Sequence, residues 1–150
     1  MNYLHTMIRV SNLESTLEFF CDVLDFREVR RYESEKGRFT LVFLCASGDE
    51  YSAEKKSPLL ELTYNWPGEN GEIEEYNGGR NFGHVAYRVE NIFEVCQRAV
   101  DKGVTINRPP RDGHMAFIKS PDGISIELLQ AGEPLRPTEP WASMENVGSW

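Results

Sequence analysis

Two histidines and two glutamates stand at matched places in the chain: His5 and His84 near the start of each half, Glu61 and Glu127 near the end of each. Imidazole nitrogens and carboxylate oxygens make a mixed donor set suited to a borderline first-row divalent ion such as nickel, zinc, cobalt or iron. The carboxylates can also take and return a proton. A single glutamate in a strand is ordinarily solvated, and a single histidine is ordinarily a packed or surface residue. The recurrence of both types in the same pattern makes metal binding the stronger reading of His5, Glu61, His84 and Glu127 together. His114 lies outside the pattern and is assigned nothing.

The elements around these residues read as strands and helices in the same order twice. Leu59 to Asn65 lies between Pro58 and Pro67 and is dense in branched and aromatic residues, which reads as a strand. Alternation puts Leu60, Leu62 and Tyr64 on one face and Glu61, Thr63 and Asn65 on the other. Ile124 to Leu129 repeats the device, with Ile126 and Leu128 facing the core and Glu127 facing away. Tyr3 to Val10 reads as a first strand carrying His5 and Arg9 on one face. Ser11 followed by Glu14 suggests a capping box, and Leu13, Leu17, Phe20, Cys21 and Leu24 recur at helical spacing. Further strands are expected over Phe26–Tyr32, Arg38–Cys45, Phe82–Val89, Val104–Asn107 and Met115–Lys119. A second helix is expected between the Asn91 cap and Gly103.

Laid over each other, the halves align His5 with His84, Arg9 with Arg88, Val10 with Val89, Asn12 with Asn91 and Leu13 with Ile92. The triplet Leu60-Glu61-Leu62 aligns with Ile126-Glu127-Leu128. Each half reads β-α-β-β-β, so the expected class is α+β: two paired βαβββ repeats forming curved mixed sheets. The divisions are 1–66 for the first repeat, 67–80 for an acidic, Gly-rich linker, 81–130 for the second repeat and 131–150 for an irregular, Pro-rich tail. Central first and last strands in a curved sheet would bring the two His and two Glu to one point. The tail is left either to wrap a neighbouring subunit or to stay loose.

Composition narrows the partners. A chain of 150 residues with 40% hydrophobic and 27% charged content is an ordinary globular domain in size and make-up. A formal net charge of −8 argues against nucleic acid or an anionic membrane as partner. No apolar run approaches a membrane span and no leader pattern stands at the N-terminus, so a cytoplasmic protein is expected. Cys21, Cys45 and Cys96 show no C-x-x-C spacing and read as buried thiols.

The doubled βαβββ unit resembles the vicinal oxygen chelate superfamily. The run L-E-L-T-Y-N-W at Leu60–Trp66, F-G-H at Phe82–His84 and S-P-D-G before the I-E-L of Ile126–Leu128 look like the glyoxalase I (lactoylglutathione lyase) family within it. The resemblance spans about Asn2 to Gln130. It implies isomerisation of the hemithioacetal of methylglyoxal and glutathione to S-lactoylglutathione through an enediolate, with one divalent ion per site. Nickel is favoured, as in compact members, with cobalt or zinc as alternatives. It also implies a homodimer in which His5 and Glu61 of one chain meet His84 and Glu127 of the other.

By the same resemblance Glu127 is the base, with Glu61 able to serve the opposite substrate face. Arg9 and Asn65 would contact the γ-glutamyl part of glutathione, Arg80 a substrate carboxylate, and Arg108 the glycyl carboxylate. Arg111 lies where relatives keep a basic residue for the same carboxylate. Arg9 suits its role sterically, since it lies on the His5 face roughly 13 Å along the strand. Arginine also suits it chemically, because its fork can hold a carboxylate bidentately. Competing readings are an extradiol-type dioxygenase, an epimerase, or a noncatalytic drug-binding module of the same fold. Glu61 argues against the dioxygenase, which leaves open the coordination positions a fourth protein ligand would fill.

Overall fold

The computed structural model describes residues 1–51, 55–77, 79 and 81–150, and divides into two units, Met1–Asn77 and Gly78–Trp150. The first contains β1 (His5–Arg9), α1 (Leu13–Leu17), β2 (Phe26–Ser34), β3 (Phe39–Ala46) and β4 (Leu59–Asn65). The second contains β5 (His84–Val89), α2 (Ile92–Asp101), β6 (Ile106–Arg108), β7 (Met115–Lys119) and β8 (Ser125–Gln130). Each unit is a four-stranded mixed sheet, in the order β1-β4-β3-β2 and β5-β8-β7-β6. The helix carries the chain from the first strand to the far edge of the sheet, and antiparallel turns walk it back. The last strand therefore lies parallel beside the first, as β4 beside β1 and β8 beside β5.

One face of each sheet is buried. In the first unit Val10, Phe20, Val23, Val42, Leu44 and Leu62 are essentially inaccessible, and Phe20 meets Phe19 and Phe26 edge-on at 5.1 and 5.6 Å. In the second, Ile92, Cys96 and Ala99 of α2 are buried along with Ile118, Ile126 and Leu128, and α2 packs on β6, β7 and β8. Burying each large aliphatic or aromatic side chain contributes about 1.5–3 kcal/mol. The three cysteines are free; Cys45 and Cys96 are buried, Cys21 only partly, and burial pushes the Cys96 thiol up to about 12.

The element ends depart from the sequence reading in ways the backbone explains. The first cap is Asn12, not Ser11: the Asn12 Oδ1 accepts the Ser15 amide at 3.0 Å. After Leu17 the helix widens into a π turn over Glu18–Val23, and the extra residue turns Phe19, Phe20 and Val23 inward in place of Cys21 and Leu24. The first strand starts at His5, because its partner in the ladder begins at Leu59, just after Pro58, which has no amide to give. β6 begins later than expected and stops before Pro109 and Pro110. In α2 the cap is the expected Asn91, whose Oδ1 accepts the amides of Phe93 and Glu94, and Gly103 beyond it has φ +78°.

Residues 131–150 form no helix or strand, yet they dock on their own unit. The Leu135 amide donates to the Gly113 carbonyl at 3.0 Å, and Trp141 is buried. Arg111 donates to the Met144 carbonyl at 2.8 Å and to Asn146 Oδ1 at 2.9 Å. Asn107 closes the docking with reciprocal bonds to Val147, each 2.9 Å long. Among the described residues no helix is long and apolar enough to cross a membrane.

Removing the Asn91 cap is expected to cost about 1 kcal/mol. Urea unfolding of Asn91→Ala checks this, with a lowered midpoint and an unchanged slope as the expected result.

Candidate metal centre and active site

The parallel strand pairs set the histidine–glutamate geometry. His5 lies opposite Leu59, so Glu61, two residues along β4, points to the same face as His5. His84 lies opposite Ser125, so Glu127 stands in the same relation to it. His5 Nε2 is 3.0 Å from Glu61 Oε2, and His84 Nε2 is 3.2 Å from Glu127 Oε2. Both imidazoles are well exposed, while the carboxylates sit deeper, with side-chain exposures of 11% and 16%. Two donors with bonds of about 2.0–2.2 Å to one ion lie about this far apart. The spacing also suits an imidazole–carboxylate hydrogen bond, so it is the N and O donor chemistry, present twice, that fits a divalent ion. Each unit supplies one pair, and among the described residues no group of three or more His, Cys, Asp and Glu gathers to hold an ion.

Aromatic rings brace both pairs in the same way. Phe43 is registered opposite Glu61 and Phe117 opposite Glu127. Their rings meet the histidines edge-on, His5–Phe43 at 6.0 Å and His84–Phe117 at 5.5 Å. On the next strand out, a bulge in each unit brings an arginine opposite the ring, Arg30 opposite Phe43 and Arg108 opposite Phe117. There the units part. The Arg30 guanidinium lies 3.8 Å from the centre of the Phe43 ring, whereas Arg108 turns to Asp112 at 2.9 Å and to the Met115 carbonyl, and the Phe117 ring is stacked instead by Trp150 at 6.0 Å.

Arg9 and Asn65 repeat the His5–Glu61 offset further along the same strands, since Arg9 is registered opposite Thr63. The Asn65 amide donates to Glu74 Oε2 at 2.6 Å, and the Tyr76 hydroxyl donates to the same oxygen at 3.1 Å. These bonds, with the Arg9 charge added, hold the Glu74 carboxyl below its ordinary range. Arg80 lies outside the described residues. Arg108 and Arg111 are both engaged within their own unit, the first in its turn and the second with 144–146.

A model of the Glyoxalase/Bleomycin resistance protein/Dioxygenase superfamily matches residues 2–128. The chain belongs to that superfamily. Among its relatives, a lactoylglutathione lyase of Neisseria meningitidis serogroup A is 39% identical over 87% of this chain and 91% of the relative. A lactoylglutathione lyase of Salmonella typhimurium is 35% identical over 87% and 93%. Of solved structures, the trypanothione-dependent glyoxalase I of Leishmania major superposes with a TM-score of 0.74 at 35% identity, covering 87% of this chain and 86% of the other.

Arg30, Phe43, Phe117, Glu74 and Trp150 are not marked as site residues by the sequence. The first three carried a signal in the repeat, because Phe43 and Phe117 sit at matched places on the strands before the two glutamates. The bulges that align Arg30 with Arg108 leave no mark in composition. Trp150 and Glu74 reach their positions through irregular chain, where no periodicity applies.

The turn that holds Arg108 depends on pH. Burial opposes the Asp112 charge, but the Arg108 guanidinium and the amides of Met115 and His114 outweigh it and bring the carboxyl down to about 2. Its folded pKa lies below the unfolded value of about 3.9, so its contribution is present above that value and lost as pH falls through about 2. Acid unfolding of Asp112→Asn, monitored between about pH 4 and pH 2, should show a shallower loss of stability than the parent chain; Asp112 is nearly half exposed, so the difference is modest.

Proposed function

We propose that the chain isomerises the hemithioacetal of methylglyoxal and glutathione to S-lactoylglutathione, removing methylglyoxal. The observation that carries the reading is the twofold occurrence of one His–Glu pair at one strand register, in a chain 35–39% identical over 87% of its length to proteins named lactoylglutathione lyase.

His5, Glu61, His84 and Glu127 would hold a divalent ion, nickel by preference. When bound, the ion supplies Lewis-acid stabilisation of the negative charge that develops on two neighbouring substrate oxygens. As the family resemblance implies, two copies of the chain associate in this reading, and His5 and Glu61 of one copy complete His84 and Glu127 of the other. Glu127 takes the proton from the carbon that bears the hydroxyl and returns it to the adjacent carbonyl carbon, while the hydroxyl oxygen gives up its proton to become the thioester carbonyl and the former carbonyl oxygen gains one, so no atom is gained or lost. Glu61 faces the substrate from the other side and serves the opposite enantiomer. Phe43 and Phe117 keep the imidazole planes upright and exclude water beside the carboxylates.

Glutathione brings two carboxylates and an ammonium to an acidic protein, so its ends need local partners. Arg9 and Asn65, on the His5–Glu61 face, take the γ-glutamyl end, with Glu74 supplying the negative charge opposite the ammonium. Arg80 meets a substrate carboxylate. Arg108, in contact with Asp112, would have to share its guanidinium to reach the glycyl carboxylate.

Protein stripped of metal should lose isomerase activity and regain it with nickel more than with zinc. Glu127→Gln is expected to lower kcat by about 10²–10⁴-fold with metal still bound, and Arg9→Ala to raise KM while sparing kcat. Retention of full activity by Glu127→Gln would remove Glu127 from the role of base. Sedimentation at micromolar concentration tests the dimer, and a monomer with full activity would refute the shared site.

A further inference from the structure

The family match ends at residue 128, yet 131–150 is pinned to the second unit by Gly113, Arg111 and Asn107. Gly113 allows the passage of the segment. Its φ is +68°, and a Cβ there would stand 1.9 Å from the Leu135 carbonyl oxygen. The strap buries Trp141 but leaves Trp150 44% exposed. The Trp150 ring nevertheless lies on the aromatic wall: it stacks on Phe117 with an interplanar angle of 29°, and Phe117 meets the His84 imidazole edge-on at 83°. Phe117 is also the ladder partner of Glu127. A half-exposed indole thus stands two ring contacts from the His84 imidazole of the second unit. In the first unit the matching ring, Phe43, is covered by the Arg30 guanidinium, so this apolar extension belongs to one side only.

We propose that Trp150 is a substrate-contacting specificity residue, which extends the Phe117 wall beside His84 and Glu127 and receives the apolar substituent carried by the 2-oxoaldehyde part of the substrate. The inference rests on the function proposed above. A planar or branched substituent gains aromatic contact there, while the small methyl of methylglyoxal gains little. Trp150 therefore widens the substrate range toward bulkier 2-oxoaldehydes without moving a proton itself. Tethering the ring through a strap and not through the sheet leaves the wall adjustable by sequence changes that do not disturb the donor residues.

Titration calorimetry with two inert thioethers, S-benzylglutathione and S-methylglutathione, on nickel-loaded protein tests the proposal apart from turnover. Trp150→Ala should weaken S-benzylglutathione about tenfold and S-methylglutathione less than about twofold, with Trp150→Phe recovering most of the difference. Gly113→Ala, which keeps the indole but pushes the strap from its seat, should show the same selective loss, so the test survives if one variant misfolds. Equal benzyl binding by Trp150→Ala and the parent chain would overturn the proposal and leave the isomerase reading intact. A parent chain that binds neither thioether would overturn both. Equal weakening of both thioethers, together with dissociation of the protein in sedimentation, would assign Trp150 to a contact between copies and overturn the substrate role.

Discussion

The parallel pairing of the first and last strand in each unit is the constraint on which the site depends. Side chains alternate along a strand, so a slip of one residue between β1 and β4 would turn Glu61 away from the His5 face and put Leu60 or Leu62 beside His5. The register is held where it is by burial. Leu60 and Leu62 are buried on one face, as are Ile126 and Leu128 in the second unit, and a one-residue shift would turn these four out of the core. The packing of the core thus fixes the meeting of imidazole and carboxylate, and the two pairs come out alike because the same packing is used twice.

The same alternation places the secondary features. Arg9 and Asn65 follow His5 and Glu61 at the same strand offset, so the four polar side chains lie along one strip of sheet. Phe43 and Phe117 come from the neighbouring strand at the level of the glutamates and supply a dry flank. Low polarity beside a carboxylate strengthens whatever charge interactions it makes. Exposed histidines beside deeper carboxylates give the pair an open side from which a ligand can approach.

How much of this could be read in the sequence follows from what each feature rests on. The strands, their faces and the two His–Glu pairs were legible because period-two alternation and an internal repeat both survive in the residues themselves. The Asn91 cap and Gly103 were legible for a similar reason, being local. The π turn after Leu17 was not, because the apolar positions at Leu13, Leu17, Phe20 and Leu24 fit a 3.6-residue period well enough until the backbone inserts a wider turn. Nor was the Asn12 cap, where Ser11 and Asn12 are both good cap residues and only the backbone angles choose between them. The docking of 131–150 depends on Gly113, Arg111 and Asn107, far back in the chain and without periodicity to mark them.

The divergence between the units has a simple geometric root. β2 runs nine residues and keeps Arg30 in a regular ladder past its bulge, so its guanidinium stays over Phe43. β6 is three residues long and stops before Pro109 and Pro110, so Arg108 is already at the strand end, where Asp112 and the Met115 carbonyl in the following turn draw its guanidinium away. The Phe117 ring is thereby left without a cation, and a hydrocarbon surface in that position is best covered by another aromatic ring. Shortening one edge strand thus converts a charged cover into an apolar one, and the strap brings Trp150 to the vacated face. Two copies of one architecture thus carry different flanks around the same kind of His–Glu pair, a polar one beside His5 and Glu61 and an aromatic one beside His84 and Glu127.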